Sequence, residues 1–424
     1  ALGYDATATT PTLNPRGGFD TITYTGNGSG QSITGLGFSP SLVWVKSRNA
    51  GYSHNLYDVI RGADEALFSD TTDAETTYDG RLTSFDSAGF TVGDTSTAGV
   101  GTNGNNTNYV AWCWKAGGPA ELNEDGSIDS QVSVSTDYGF SIATATQPSS
   151  GGFSVGHGLG TAPAFVIYKR RSSTSGWGVW HQSLSSANHY LQLSEESVEA
   201  SDSTIFSSAP SSTVVNLGSA WSATGAHTAV MYSWSEVSGF SKFGSYSGTG
   251  SAGVSVTTGF KPRWVMIKET GNSNPWFIYD NQRGTTNILW ADEHYSESTI
   301  GAGDGTNQNA IEVNSTGFTI PHTLSGTNRS GGNYIYAAFA DRPGNNWTTN
   351  NLIAEPQLDV SQGMDVVTYT GTASTQSINS LAFQPDLVWL KRRDSVGNHN
   401  IQDVVRGASA VLQSDYTGAE FTSG

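Results

Sequence analysis

This sequence predicts an all-β fold, a tandem array of β-sandwich domains, on three observations. Short aromatic or β-branched runs recur along the 424 residues, each bounded by Gly, Asn, Asp or Ser. Helical periodicity is nearly absent, and its best candidate, residues 58–68, suffices for one or two turns. Above all the chain repeats itself, in units of about 100 residues that suit a sandwich.

Displaced by 345 residues, 20–70 falls on 365–415 without a gap, and 27 of the 51 positions are identical. DTITYTGNGSGQSITGLGFSPSLVWVKSR returns as DVVTYTGTASTQSINSLAFQPDLVWLKRR, and HNLYDVIRGA returns as HNIQDVVRGA. Weaker copies lie between them. The spacing Pro-x-x-Val-x-x-Lys occurs at Pro40/Val43/Lys46, Pro163/Val166/Lys169, Pro262/Val265/Lys268 and Pro385/Val388/Lys391. The proline suits the first strand position, where its missing N–H harms no ladder. Each complete unit ends on an apolar strand: YVAWCWK, TAVMYSWSE or YIYAAFAD. Gly-Phe-Thr precedes that strand in unit one (Gly89) and unit three (Gly317). Sandwich units are therefore expected at 17–117, 138–237 and 238–343, with 363–424 the unfinished start of a fourth, a copy of the first. Residues 1–16 read as a linker or arm, and 118–137 and 344–362, rich in Asn, Gly, Asp and Pro, as linkers. The chain lacks an initial Met and a fourth closing strand, which suggests a segment of a longer protein.

Composition narrows the function. Twenty Lys and Arg against 37 Asp and Glu give a net charge of −17, which argues against nucleic acid and anionic lipid as partners. Aromatic residues make up 11%, too many for a disordered chain. The single cysteine, Cys113, excludes an intramolecular disulfide. No apolar run is long enough for a membrane helix, and the N-terminus lacks the features of a signal peptide.

The residues that carry chemistry read mainly as structural. Lys46, Lys169, Lys268 and Lys391 are expected to pack their stems on the strands and hold their ammonium groups in water, with a shared ligand groove as the alternative. Asp58/Arg61, Asp280/Arg283 and Asp403/Arg406, each followed by Gly, suggest an ion-paired turn that unit two lacks. The eight histidines show no metal-ligand spacing, so His54, His157 and His399 are expected to be structural. Glu195/Glu196/Glu199 and Asp292/Glu293/Glu297 are the nearest approach to the carboxylate pair of a glycosidase; Glu293 and Glu297 would share a strand face, but nothing around them supports catalysis. No serine elbow, P-loop or dinucleotide fingerprint is present. No cofactor is implied, although loops 94–108, 123–129 and 304–309 have the oxygen-rich composition of a Ca2+ site. Trp44, Trp112, Trp114, Trp264 and Trp389 read as core, whereas Trp177, Trp180, Trp276 and Trp347 lie among Gly, Asn and Ser. Of these, Trp177, Trp180 and Trp276 are the candidates for stacking on a glycan.

The motifs LGFSPSLVWVKSR, HNLYDVIRGA, LTSFDSAGFTVG and YVAWCWKAGG resemble an uncharacterised repeat domain of virion proteins from marine tailed phages. GHGLGTAPAFVIYKRR, FSKFGSYSGTGS and SGGNYIYAAFADRP resemble the following modules. The resemblance implies jelly-roll or lectin-like sandwiches in a tail fibre, baseplate or capsid appendage. It supplies no catalytic residues. The expected protein is therefore a non-enzymatic structural and adhesion component of the virion surface. Its partners would be other virion proteins, further copies of itself and host surface glycans. The alternative is a secreted bacterial carbohydrate-binding protein of lectin type.

Overall fold

Repeat 1 shows the pattern on which the others are built. Its strands are β1 (Phe19–Thr25), β2 (Gln31–Thr34), β3 (Leu42–Ser47), β4 (Asn55–Asp58), β5 (Gly62–Leu67), β6 (Thr76–Thr77), β7 (Ser84–Asp86), β8 (Gly89–Val92) and β9 (Asn108–Trp114). They form a six-stranded sheet, β1-β9-β3-β4-β5-β6, and a three-stranded sheet, β2-β8-β7. The closing strand β9 is last in sequence yet lies between β1 and β3, antiparallel to both. The computed structural model describes residues 17–94, 101–225, 227–284, 286–299, 310–341, 366–378, 384–407 and 409–422.

Repeat 2 comprises β10 (Glu121–Asn123), β11 (Ser130–Ser135), β12 (Phe140–Thr146), β13 (Phe153–Gly156), β14 (Phe165–Arg170), β15 (Trp177–His181), β16 (His189–Gln192), β17 (Ala200–Ser201), β18 (Val214–Leu217) and β19 (Thr228–Trp234). Its large sheet runs β10-β11-β12-β19-β14-β15-β16-β17, over a two-stranded sheet β13-β18. Residues 118–137 are thus not a linker: β10 and β11 extend this sheet, because Val132 and Val134 supply an apolar face amid the polar sequence. Repeat 3 comprises β20 (Ser241–Ser247), β21 (Val254–Thr257), β22 (Pro262–Glu269), β23 (Phe277–Asp280), β24 (Asn287–Trp290), β25 (Ser298–Thr299), β26 (Glu312–Asn314), β27 (Gly317–Ile320), a one-turn helix α1 (Ser325–Asn328) and β28 (Asn333–Ala340). It repeats both sheets as β20-β28-β22-β23-β24-β25 and β21-β27-β26. The expected linker 344–362 and the arm 1–16 lie outside the described residues.

The helix expected over 58–68 is replaced by a β-hairpin. Asp58 ends β4, its carboxylate accepts the N–H groups of Ile60 and Arg61 at 3.0 Å each, and Gly62 opens β5 at φ +116°. The side chain caps a tight turn where a helix would have continued.

Period-two alternation divides each central strand between two cores. On β9, Tyr109, Ala111 and Cys113 face the sandwich interior of repeat 1, while Val110, Trp112 and Trp114 face away from it. The outward faces of β9, β19 and β28 then meet in one apolar core common to repeats 1, 2 and 3, together with Trp44, Phe165, Trp177, Trp264 and Trp276. At its centre Trp114 lies edge-on to Trp234 at 6.0 Å and to Phe339 at 5.6 Å. The three repeats therefore form one body, and repeat 4 belongs to a second unit.

In repeat 4 the strands β29 (Leu387–Leu390), β30 (Asn400–Asp403), β31 (Ala410–Gln413) and β32 (Phe421–Thr422) form a single four-stranded sheet in chain order.

The Gly of each Gly-Phe-Thr marker sits where two backbones nearly touch. A Cβ on Gly89 would lie 1.9 Å from the Ile33 carbonyl oxygen, and one on Gly317 2.0 Å from that of Val256. Gly317→Ala is expected to destabilise the three-repeat body by about 1–3 kcal/mol. Gly118→Ala, where nothing stands within 4 Å, is expected to be neutral; urea denaturation of both variants checks this.

Candidate functional site: the junctions between repeats

The residues singled out in the sequence gather where one repeat meets the next. Lys46, Lys169 and Lys268 stand on the outward faces of β3, β14 and β22, and all three are fully buried. Each ammonium crosses to a neighbour's backbone: Lys46 donates to the His294 carbonyl at 3.1 Å, Lys169 to that of Thr72 at 3.0 Å, and Lys268 to that of Glu196 at 2.9 Å. Repeat 1 thus reaches repeat 3, repeat 2 reaches repeat 1, and repeat 3 reaches repeat 2, a head-to-tail cycle that closes on itself. The lysines neither hold their charges in water nor line an open groove, because the neighbouring repeat covers the strand end they occupy. Burial lowers each of them to about 8.

One structural position carries a second bridge in every junction. The indole N–H of Trp177 donates to the Phe68 and Thr71 carbonyls at 3.0 Å each, and that of Trp276 to the Gln192 carbonyl at 2.8 Å. His54 occupies the matching place in repeat 1, with Nε2 at 2.8 Å from the Trp290 carbonyl. Trp180 packs instead inside repeat 2, its N–H donating to the Ala187 carbonyl at 3.0 Å. Trp177, Trp180 and Trp276 are 0, 7 and 2% exposed, so none has a ring face free to stack on a sugar. Their Gly- and Ser-rich flanks are close-packed turns rather than open surface.

A third layer is ionic, and two of the three junctions have it. Asp58 accepts from the Arg61 side chain of its own turn and from the Tyr232 hydroxyl of repeat 2, the latter at 2.7 Å. Asp280 accepts from Arg283 at 2.6 Å and from the Trp112 indole of repeat 1 at 2.9 Å. Arg61 and Arg283 continue to Glu75 and Glu297, which also receive Arg171 and Arg48 from the adjoining repeats. In the junction of repeat 3 with repeat 2 the aspartate, both arginines and the donor are replaced, while the glutamate is kept as Glu199, whose backbone N–H donates to the Thr270 carbonyl as that of Glu75 does to Arg171 and that of Glu297 to Arg48. His181 stands at the aspartate position, Leu184 at the arginine, Thr270 in place of the crossing arginine, and Ala337 in place of the indole or phenol donor. His181 Nε2 reaches the Tyr336 carbonyl at 3.2 Å.

The buried histidines share one state. Nδ1 accepts an N–H in each case: from the Trp44 indole in His54, and from the backbone of Leu159, Ser183 and Leu324 in His157, His181 and His322. Nε2 faces a carbonyl in each: Trp290, Ser211, Tyr336 and Ala310. These partners assign the neutral Nε2–H tautomer, and burial lowers all four, His181 to about 4. Both nitrogens are occupied, which leaves these rings no lone pair for a metal.

Glu293 and Glu297 do not share the strand face expected of them. Residues 293–297 are not a strand, and Glu297 turns to its two arginines. Glu199 bonds to Ser185. Burial raises Asp292 to about 7, and its Oδ2 has no hydrogen-bond partner. Of the calcium-type loops, 304–309 and part of 94–108 lie outside the described residues, while Asn123 and Asp125 bond to each other. Among the described residues, no three of His, Cys, Asp and Glu are placed to hold a metal. Trp347 lies outside the described residues. On the surface of repeat 2 there is a polar hollow of about 260 Å3 over Asp129, Gln131, Thr144, Thr146, Arg171 and Thr228, with no aromatic in its lining.

Removing Glu297 would take the carboxylate from Arg48 and leave the buried Arg283 with Asp280 as its remaining carboxylate. Glu297→Gln is expected to destabilise the body by about 2 kcal/mol through weakened charge-assisted hydrogen bonds, whereas Glu199→Gln, at the junction with no arginine, is expected to change little; thermal unfolding compares the two. The lysines give a pH dependence. Each loses its proton near 8 when folded but near 10.5 when unfolded. In that window the unfolded chain holds more protons, so stability rises with pH. The gain between pH 7.5 and 9 is expected to be about 1 kcal/mol per lysine. Denaturation midpoints across that range check it, with Lys268→Met removing one share of the rise.

A family described as a domain of unknown function (DUF7483) matches residues 14–343 and again 359–424. The first match spans the three-repeat body, and the second begins on the fourth repeat. No curated protein matches the chain. The chain belongs to the DUF7483 family.

Proposed function

We propose that this DUF7483 chain is a non-enzymatic structural protein of a tailed-phage virion, in a tail fibre, baseplate or capsid appendage. The observation that carries the structural part is the use made of its reactive side chains. The recurrent lysines, the Asp–Arg–Glu relays, the junction histidine and tryptophans and the central aromatics all join repeat to repeat. What they produce is a rigid, disulfide-free body with an acidic surface that favours solubility. The virion setting is supported by the resemblance of the repeat motifs to phage appendage modules. Adhesion through stacked tryptophans has no support, since those rings are interior. A host glycan would meet hydroxyl, amide and guanidinium groups at the polar hollow of repeat 2.

A virion component of this kind assembles with further copies of itself or with a scaffold. Light scattering and negative-stain imaging of the native assembly are expected to show a symmetric oligomer or a fibre. A monomer of 44.7 kDa at all concentrations, combined with saturable glycan binding on an array, would favour the secreted lectin instead.

A further inference from the structure

Repeat 2 differs from its neighbours in one built feature, the hairpin β10–β11. In repeats 1 and 3 the opening strands β1 and β20 are sheet edges, whereas in repeat 2 the matching strand β12 is followed outward by β11 and then β10. A sandwich does not require these strands, since repeats 1 and 3 form both of their sheets without them. On its inner face β11 adds Val132 and Val134 to the core of repeat 2. Its other face carries Gln131, directly opposite Thr144 of β12, and so builds one wall of the polar hollow.

The floor of the hollow is also free of the bonds that occupy its counterparts. Where the closing strand begins, repeats 1 and 3 have an asparagine that accepts from the hydroxyl opposite it: Thr25 donates to Asn108 at 2.9 Å, and Ser247 to Asn333 at 3.5 Å. Repeat 2 has Thr228 at this place, opposite Thr146. Among the described residues neither hydroxyl bonds to the protein, and neither do the side chains of Asp129, Gln131 and Thr144. Three hydroxyls, an amide and a carboxylate therefore line about 260 Å3 of concave surface. Neighbouring strands hold them about 4.8 Å apart, so that one hydroxylated ring can meet two strands at once. Charge then selects among hydroxylated ligands. Arg171 lines the hollow, but its Nε and Nη2 are held by Glu75, which leaves Asp129 as the uncompensated charge. An acidic sugar would bring a like charge to that carboxylate, whereas a neutral one brings hydroxyls that donate to it.

We propose that the hollow of repeat 2 is a binding site for a neutral saccharide of one or two rings, held by hydrogen bonds alone. Asp129 accepts from the sugar hydroxyls, and Gln131, Thr144, Thr146 and Thr228 both donate and accept. No aromatic ring lines the site, so stacking plays no part in it. The proposal rests on the adhesion part of the function proposed above and is independent of the virion setting.

Saturation-transfer NMR on the full chain tests this, with neutral disaccharides of glucose, galactose, mannose and N-acetylglucosamine as probes and glucuronic acid and sialyllactose as acidic comparators. At least one neutral probe is expected to bind saturably, and more tightly than either acid. Gln131→Ala/Thr146→Ala is expected to weaken that binding about tenfold, with the urea midpoint unchanged because neither side chain bonds to the protein. Thr25→Ala, at the matching place in repeat 1, is expected to leave binding as it was. Absence of binding by every neutral probe would overturn the proposal, as would binding that survives the double substitution or that favours the acids. The assembly measurement judges the virion reading separately: a fibre that binds no sugar fails this site alone, and a monomer that binds as described fails the virion setting alone.

Discussion

Everything in the three-repeat body depends on the closing strand taking the central place in its sheet. β9, β19 and β28 are made last and are needed first: without them β1 and β20 have no neighbour, β12 keeps β11 alone, and each Pro-headed strand has one open edge. Because the strand is central, water reaches neither of its faces. One face completes the sandwich of its own repeat and the other is left apolar toward the outside, where only another repeat can cover it. Three such faces cover one another, so the unit of stability is the trio rather than the single sandwich. Pairing strands some ninety residues apart also makes this a fold of non-local contacts, of the kind that forms slowly.

The junctions show how repeats diverge once they are joined. Two use a buried relay of Asp, Arg and Glu with a phenol or indole donor from the next repeat, and the third keeps the glutamate alone, as Glu199. Where His181 replaces the aspartate, Ala337 replaces the donor, and where Leu184 replaces the turn arginine, Thr270 replaces the crossing one. A buried charge that lost its partner would be costly, so the aspartate and the arginines are lost together, while the glutamate at this position, Glu199, bonds to Ser185 instead.

Much of this was legible in the sequence. The four repeats, the all-β class, the closing strands and the ion-paired turn follow from spacing alone. The common core was not anticipated, although a signal was present. LVWV, FVIY and WVMI are unbroken apolar runs, and a sheet with one wet face alternates instead. Reading Lys46, Lys169 and Lys268 as solvated ends missed that each follows such a run on the side facing another repeat. Trp177 and Trp276 were misjudged because Gly and Ser neighbours signal a turn but not whether another repeat lies against it. Residues 118–137 looked like a linker because their apolar side chains are few, yet Val132 and Val134 suffice for a strand at the sheet margin.

Arg263 gives the cycle a last consequence. It pairs with Asp20 at the start of repeat 1 and with Asp341 at the end of repeat 3, and donates to the Thr21 carbonyl at 2.8 Å. The two ends of the body therefore meet at one guanidinium, and the place where the polypeptide opens carries no structural weight of its own. Connectivity here is a circle cut at an arbitrary point. A permuted chain that began at repeat 2 and ended with repeat 1 would keep the same neighbours across all three junctions.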